Sequence, residues 1–257
     1  MPGDCTLLAM QRTVLLGVPF DRVTMREAVA RMVALLDGDA QSHVMTPNAE
    51  MLVAASRDPG FRDVLCRAAL NVADGIGVVW CSRLLGQPLP ERVAGVDLVQ
   101  QVCASLAPGH SVFFLGAAPG VAERAAAALA ARFPQITIAG TASGSPSDVD
   151  APVLLEQIRS SGASLLLVAY GAPAQDVWID RHAAALPSVR VAMGVGGTFD
   201  FLAGVRRRAP RWMQRCGLEW FWRLLCEPRR IGRMFTAVIV FPLLVLRHGR
   251  SAPAARI

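Results

Sequence analysis

Short apolar runs of strand-like composition alternate with longer amphipathic segments along most of the chain. The predicted strands lie at residues 13–18, 43–45, 70–72, 111–115, 136–139, 165–169 and 189–193. Helical patterns separate nearly all of them, and a capping box at Thr24 and Glu27 opens the first helix. Strands joined by crossover helices run parallel, with helices on both faces of the sheet. The sequence therefore predicts a three-layer α/β fold with a mainly parallel sheet.

Asp74 occupies a strand-to-helix turn. It follows the strand-like Leu70 and Val72 and precedes Gly75 and Gly77, after which residues 78–85 continue at helical spacing. This pattern places Asp74 at the carboxyl end of a strand, where open α/β sheets bind their ligands. The alternative role is that of a helix cap.

A dinucleotide-binding fingerprint is a competing interpretation of the same turn, with Asp97 at a suitable distance for a ribose contact. The third glycine of that fingerprint is replaced by the bulky Trp80, and the carboxylate of Asp74 would repel a pyrophosphate. The pattern therefore disfavours a nicotinamide oxidoreductase.

Other loops at predicted strand ends carry polar or glycine residues. Thr46 and Asn48 could hydrogen-bond a sugar or a phosphate, although Asn48 could equally cap the next helix. In the same way, Arg92 could hold a phosphate or pair with Glu91 or Asp97, and Asp97 is also predicted to cap the helix at 98–106.

Three further strand-end loops complete the set of candidate ligand-binding segments. The loop from Gly116 to Gly120 leads into a helix whose N-terminus could hold an anion. Gln175 follows another strand, and Gly196 and Gly197 would permit a ligand to approach the backbone closely.

No metal site is predicted. Asp148 and Asp150 spell the DxD clamp of some sugar transferases, but they stand where a helix cap is needed and no strand flanks them. The six cysteines are scattered without a CxxC pair, so we expect buried, reduced thiols. No secretory signal is seen at residues 1–4, which together with the thiols points to the cytoplasm.

Positive charge is concentrated near the C-terminus. All 26 basic residues are arginine, and residues 206–257 hold 12 of them against two glutamates, Glu219 and Glu227, although the whole chain carries a formal net charge of only +6. We therefore expect a body at 1–205, an arginine-rich appendage at 206–257 and a polyanionic partner, such as nucleic acid, anionic lipid or a phosphorylated substrate.

The appendage also carries the chain's strongest membrane signal. Tryptophans at 212, 220 and 222 interleave with arginines, as in an interfacial surface, although packing against the protein's own sheet or a second subunit is an equal alternative. The apolar run at 234–246 contains Pro242 and is expected to be too short to span a membrane. The sequence thus predicts contact with a membrane without crossing it, and apolar helix faces also allow a homo-oligomer.

Six segments together resemble the WecG/TagA/CpsF glycosyltransferase family, from about residue 13 to 247. They are TPNAE at 46–50, DGIGVVW at 74–80, ERVAGVDL at 91–98, GAPAQ at 171–175, GVGGTFD at 194–200 and EPRR at 227–230. Each is weak alone, whereas the six in this order are specific.

The resemblance implies a Rossmann-like core whose C-terminal appendage covers the site and contacts the membrane. The implied activity is inverting, metal-independent transfer of a sugar from a UDP-sugar to a polyprenyl-diphosphate-linked saccharide, at the cytoplasmic face of the bacterial inner membrane. The best-known members transfer N-acetylmannosamine. The alternative is a basic-tailed nucleotide- or nucleic-acid-binding protein without transferase activity, but its stacking aromatics would need an exposed sheet or channel, so no nucleic-acid partner is expected.

Carried onto this chain, the resemblance assigns roles to individual residues. Asp74 is the expected general base, and Thr46 takes part in catalysis. Asn48, Arg92 and Gln175 are expected to contact substrate, and Arg229, Arg230 and Arg233 to offset charge on the departing UDP. The chain departs from the family where a lysine is usual, at Ala174, and in the small loop at 143–145. The expected donor is therefore N-acetylmannosamine or a related hexose or uronic acid.

Overall fold

The computed structural model describes residues 12–253 and contains a six-stranded parallel sheet flanked by helices. The strands are β1 (Arg12–Leu15), β2 (Val18–Asp21), β3 (Ser42–Met45), β4 (Leu70–Asn71), β5 (Ser111–Gly116), β6 (Thr137–Ala142), β7 (Leu165–Ala169) and β8 (Val191–Gly194). In the sheet they follow the order β4-β3-β8-β7-β5-β6, and every neighbouring pair is parallel. The predicted Rossmann-like α/β fold is confirmed.

Eleven α-helices precede a long C-terminal helix within the described residues. They are α1 (Met25–Asp37), α2 (Ala49–Ala55), α3 (Pro59–Arg67), α4 (Ile76–Leu84), α5 (Gly95–Ala104), α6 (Val121–Arg132), α7 (Ala151–Ser161), α8 (Ala174–His182), α9 (Thr198–Leu202), α10 (Arg211–Arg215) and α11 (Glu219–Cys226). The capping box at Thr24 is present: its hydroxyl accepts from Glu27 N, and the Glu27 carboxylate accepts from Thr24 N at 2.8 Å.

The sheet is buried on both faces. Along β5, Phe114 belongs to one apolar cluster and its neighbours Phe113 and Leu115 belong to another, and β7 alternates in the same way. Because successive strand side chains point to opposite faces, helices must cover both sides. All carboxyl ends of the parallel strands meet at one edge. Gly116 ends β5 at this edge, and Thr46, Asp74, Gln175 and Gly196 lie in the segments that follow the other strands.

The N-terminal part of the described chain differs from its prediction. Instead of one strand at 13–18, β1 and β2 form a separate antiparallel hairpin. Its turn residues, Leu16 and Gly17, have φ of 52° and 81°, and their N–H groups donate to Gly249 O and Arg250 O. The tight turn was not recognised because Leu16 is a residue that rarely adopts positive φ.

The C-terminal helix, Pro228–His248, is continuous and longer than the apolar run at 234–246, which was expected to be too short to span a membrane. By length and composition alone it could cross a membrane, and 17% of its most apolar window is buried. Pro242 does not interrupt it. A π-helical turn at Thr236–Val240 precedes the α-helical Phe241–His248, and this local change of helix geometry accommodates the proline, which has no backbone N–H to donate. Phe241 and Val245 are fully buried in the cluster formed with α2, α4 and the hairpin, so one side of this helix packs against the core.

Several smaller expectations also change. Cys81 and Cys103 are buried, but Cys66, Cys216 and Cys226 are exposed. β6 continues through Ala142, three residues beyond the strand predicted at 136–139. Cys5 and the segment judged to lack a secretory signal lie outside the described residues.

Gly194 is expected to be intolerant of a side chain. A Cβ at this position would lie 2.5 Å from Gln175 Nε2 and in collision with the Asp176 carboxylate, both in the buried start of α8. We expect Gly194→Ala to cost about 1–3 kcal/mol of unfolding free energy by overpacking, measured by thermal or denaturant unfolding. The matched control is Gly232→Ala, where the new Cβ meets nothing within 4 Å. Equal destabilisation by both variants would contradict the steric explanation.

Candidate functional site

Asp74 and Thr46 meet at the N-terminus of α5. Asp74 Oδ2 accepts a hydrogen bond from Gly95 N at 3.2 Å. A Cβ built on Gly95 would lie 3.4 Å from Thr46 Oγ1 and 3.5 Å from Asp74 Oδ2, so both side chains lie over this glycine. The loops that follow β3 and β4 thus deliver a hydroxyl and a carboxylate to one place. Asp74 does not cap α4, whose N-cap residue is Gly75 without a side-chain hydrogen bond.

The surroundings of Asp74 raise its pKa above the usual aspartate range. Burial is the main cause, and the nearby carboxylate of Glu219 acts in the same direction. The guanidinium groups of Arg92 and Arg223 and the N–H of Gly95 oppose the shift. A carboxylate with raised pKa binds a proton more tightly and is therefore a better general base near neutral pH.

Asn48 and Gln175 both hold backbone groups in place. Asn48 Oδ1 accepts from Met51 N at 3.0 Å and caps α2, as one of the two sequence interpretations had it. Gln175 Oε1 accepts from Gly171 N at 3.0 Å and from Gly196 N at 2.9 Å, so it ties the loop after β7 to the loop after β8. These contacts position the strand-end loops; direct contact of either side chain with substrate stays a prediction.

The three predicted glycines lie in different settings. Gly197 adjoins the appendage, since a Cβ there would lie 3.6 Å from Arg223 Nη2, whereas Gly196 adopts φ of 50° and donates to Gln175. Gly116 has φ of 97° and faces the ring of Tyr170, which would lie 2.9 Å from an added Cβ. The close approach that Gly116 permits here is therefore that of Tyr170.

A network of ion pairs joins the appendage to the body beside Asp74. Glu219 lies between Arg92, at 3.0 Å, and Arg208, at 3.1 Å, and Arg208 also makes a two-pronged pair with Asp97, with one contact at 2.8 Å. Asp97 therefore does not cap a helix, because it lies within the first turn of α5 and pairs with Arg208. Arg92 pairs with neither Glu91 nor Asp97. The predicted Asp97 cap and the alternative local pairing of Arg92 are both wrong, because the actual partners are more than 100 residues away along the chain. Substrate contact by Arg92 stays a prediction.

Three appendage arginines gather near the same strand ends. Burial, followed by the neighbouring Arg223 and Arg233, lowers the pKa of Arg230, which shows that positive charges are crowded here. Arg233 pairs with Glu50 at 2.5 Å, close to the start of α2. The buried Nε atoms of Arg223 and Arg230 have no acceptor among residues 12–253. Arg229, by contrast, is exposed, and its side chain makes no hydrogen bond or ion pair with that part of the chain.

Arg223 was missed by the sequence reasoning as a site residue. It was assigned to the membrane-facing pattern of arginines and aromatics, but its side chain acts electrostatically on Asp74 and lies 5.2 Å from the ring centre of Phe201. The available signal was its spacing of seven residues from Arg230, or two helical turns. That signal is weak because Pro228 lies between them.

The two aspartates of the DxD pattern, Asp148 and Asp150, each contact another side chain of the protein. Asp148 pairs with Arg181 at 2.7 Å, and Asp150 accepts from Ser145 at 2.6 Å. Among residues 12–253, no group of three or more His, Cys, Asp or Glu side chains is placed to hold a metal ion. Metal independence itself stays a prediction.

Comparison with known proteins agrees with this arrangement. The chain matches the glycosyl transferase WecG/TagA/CpsF family over residues 13–254. The chain belongs to this family. It is also 32% identical, over 94% of its length and 95% of theirs, to the N-acetylglucosaminyldiphosphoundecaprenol N-acetyl-beta-D-mannosaminyltransferases of Staphylococcus aureus strains NCTC 8325 / PS 47 and COL. The chain is therefore a glycosyltransferase rather than an oxidoreductase or a binding protein without catalytic activity.

The network between Asp97 and Arg208 should couple the appendage to the body energetically. In a double-mutant cycle of Asp97→Asn and Arg208→Gln, we expect a coupling energy of about 0.5–3 kcal/mol, with faster hydrogen exchange at 206–226 in either single variant. The control cycle uses the exposed pair Glu156 and Arg159, which should couple by less than about 0.5 kcal/mol. Additive effects at Asp97 and Arg208 would show that the pair does not hold the appendage.

Proposed function

We propose that this glycosyltransferase moves a sugar from a UDP-sugar to a polyprenyl-diphosphate-linked saccharide, with inversion and without a bound metal. The observation that carries the proposal is the position of Asp74: a carboxylate of raised pKa, beside the Thr46 hydroxyl, at the sheet edge that faces the crowded arginines. The activity in the names of the Staphylococcus aureus relatives supports a lipid-linked acceptor.

The reaction needs one base and a means of offsetting negative charge. Asp74 takes the proton from the acceptor hydroxyl as the hydroxyl oxygen attacks the anomeric carbon on the face opposite the leaving group. The bond from that carbon to the diphosphate then breaks, and UDP leaves with the bonding electron pair. Guanidinium groups of Arg223 and Arg230, whose Nε donors have no acceptor in the described part of the chain, would stabilise the negative charge that builds on UDP.

The donor we propose is UDP-N-acetylmannosamine or the UDP derivative of a related hexose or uronic acid. The matching activity of the relatives supports N-acetylmannosamine, whereas Ala174 and the small loop at 143–145 change the surroundings in which the sugar would lie. A polymer of the cell envelope or an exopolysaccharide is the expected product.

The enzyme would work as a peripheral protein at the cytoplasmic face of the inner membrane. On the C-terminal helix, Phe241 and Val245 face the core, while the opposite side exposes Phe235, Leu243 and Leu246 by 59–71%. This division supports a helix that stays docked on the body and presents an apolar side to the membrane. Trp212, 62% exposed, would add an aromatic contact at headgroup depth.

Asp74→Asn should remove the base at nearly constant shape. We expect turnover to fall about 10²–10⁴-fold, with UDP-sugar affinity retained, when UDP release is followed with a short-chain lipid-linked acceptor in the presence and absence of EDTA. Substantial residual transfer would reject the base assignment, and loss of turnover in EDTA that Mg²⁺ restores would reject metal independence.

The raised pKa of Asp74 predicts the pH dependence of both activity and stability. Because the base must be ionised, kcat/KM should fall as pH falls through a pKa above the usual aspartate value. The folded state binds this proton more tightly than the unfolded chain, so ionisation destabilises the fold as pH rises through the same range. Asp74→Asn should therefore unfold at an equal or higher temperature at pH 7; a marked decrease would contradict the raised pKa.

The exposed side of the C-terminal helix should govern membrane binding. We expect Phe235→Ser combined with Leu243→Ser to weaken binding to anionic phospholipid vesicles at least about tenfold, because apolar area is lost from the contact. The control combines Val149→Ser and Val153→Ser, which are also exposed but lie near α7. Equal losses in both double variants, measured by co-sedimentation, would place the membrane contact elsewhere.

A further inference from the structure

An arginine-lined cleft lies next to the Asp74 site. It has a volume of about 570 Å³ and is formed by α4, the loop at 90–92 and α10. Four guanidinium groups line it, from Arg83, Arg92, Arg211 and Arg215, and its one acidic residue is Glu91. The cleft therefore carries a strong excess of positive charge.

Three of these arginines have no counter-charge within residues 12–253. The side chains of Arg83, Arg211 and Arg215 make no hydrogen bond or ion pair with that part of the chain, whereas Arg92 is paired with Glu219. The carboxylate of Glu91 already accepts a hydrogen bond from Met25 N at 2.5 Å. Like charges gathered in one cleft repel one another, so an anion with several oxygen acceptors would bind there favourably, and a diphosphate matches guanidinium geometry well.

Apart from Gln214 and the charged residues, the lining of the cleft is apolar, and exposed apolar side chains lie on the helices beside it. Ile76 and Val79 line it, and on the same helix Trp80 and Leu84 are 55% and 71% exposed. Across the cleft, Trp212 adjoins Arg211 and is 62% exposed. A ligand with an anionic group and an apolar chain would satisfy both parts of this surface, whereas a sugar nucleotide would leave the apolar part uncovered.

The cleft shares a residue, Arg92, with the surroundings of the proposed base. Arg92 lines the cleft and also acts electrostatically on Asp74. Gly217 closes the cleft against Ile76, two residues from Asp74, since a Cβ on Gly217 would lie 2.9 Å from the Ile76 side chain. A group bound to the arginines would therefore hold the sugar attached to it near the carboxylate.

We propose that this cleft binds the diphosphate of the lipid-linked acceptor, with the first isoprene units lying along Trp80, Leu84 and Trp212. The inference rests on the proposed function, because it supplies the acceptor half of that reaction. The donor UDP would lie on the other side of Asp74, towards Arg223 and Arg230. Phosphate oxygens of bulk membrane lipids share the same chemistry, and the experiment must separate these two sources.

The test measures direct binding by the full-length protein. The probes are farnesyl diphosphate below its micellar concentration, UDP, and vesicles containing anionic phospholipid. For the double variant Arg211→Gln with Arg215→Gln, we expect affinity for farnesyl diphosphate to fall at least about tenfold through loss of two charge-assisted contacts, with UDP affinity changed less than about twofold. Arg83→Gln is a second variant from another helix, and Arg57→Gln with Arg124→Gln is the charge-matched control outside the cleft.

Each outcome decides between the assignments. Unchanged affinity for farnesyl diphosphate with weaker vesicle binding would assign the arginines to bulk lipid headgroups and overturn the proposal. Equal losses for UDP and farnesyl diphosphate would assign the cleft to the donor and also overturn it. A selective loss of farnesyl diphosphate binding supports the cleft even if the wild-type protein transfers no sugar, a result that would reject only the proposed function.

A kinetic measurement completes the test when transfer is observed. With a farnesyl-diphosphate-linked saccharide as acceptor, the double cleft variant should raise KM for the acceptor about tenfold and leave KM for the donor within about twofold. A change confined to KM for the donor would contradict the proposal.

Discussion

Glu219 lies between two guanidinium groups, those of Arg92 and Arg208, and this contact joins the two parts of the molecule. All three side chains are less than one-fifth exposed, and Arg208 extends the network to Asp97 at the start of α5. Removing one member would leave a charge without its partner in a poorly solvated place, which is far more costly than losing a surface ion pair. The network also sets the electrostatics of the site, since Glu219 raises the pKa of Asp74 and Arg92 lowers it. Docking of the appendage and tuning of the candidate base thus depend on the same charges.

The appendage is not one uniform lid. Its first part, from Arg206 through α11, is held by ion pairs and places Arg223 near Asp74. Its second part, the C-terminal helix, contributes Phe241 and Val245 to the apolar core, and Gly249 and Arg250 directly after it accept backbone hydrogen bonds from the hairpin. Point variants in the first part can therefore separate catalysis from folding, whereas removal of the whole segment would also expose core residues.

Sequence reasoning succeeded where chemistry is local. The alternation of apolar strands and amphipathic helices requires a layered parallel sheet, and an aspartate directly after a strand must lie at the ligand-binding edge. Thr46 and Asp74 are close for the same reason, because β3 and β4 are neighbours in the sheet. It failed where partners are distant in sequence: Asp97 was predicted to cap a helix, and Arg223 was taken for a membrane contact.

The sequence by itself determined the fold class, the strand-end position of Asp74 and the family, since each depends on local pattern and on motifs in a fixed order. Only the tertiary structure decided which arginines lie beside Asp74, that Pro228–His248 is one continuous helix docked on the core, and that Arg83, Arg211 and Arg215 line one cleft without a counter-charge among residues 12–253. The physical reason is that charge pairing and burial depend on distances in space, and these arginines come from segments more than 100 residues apart.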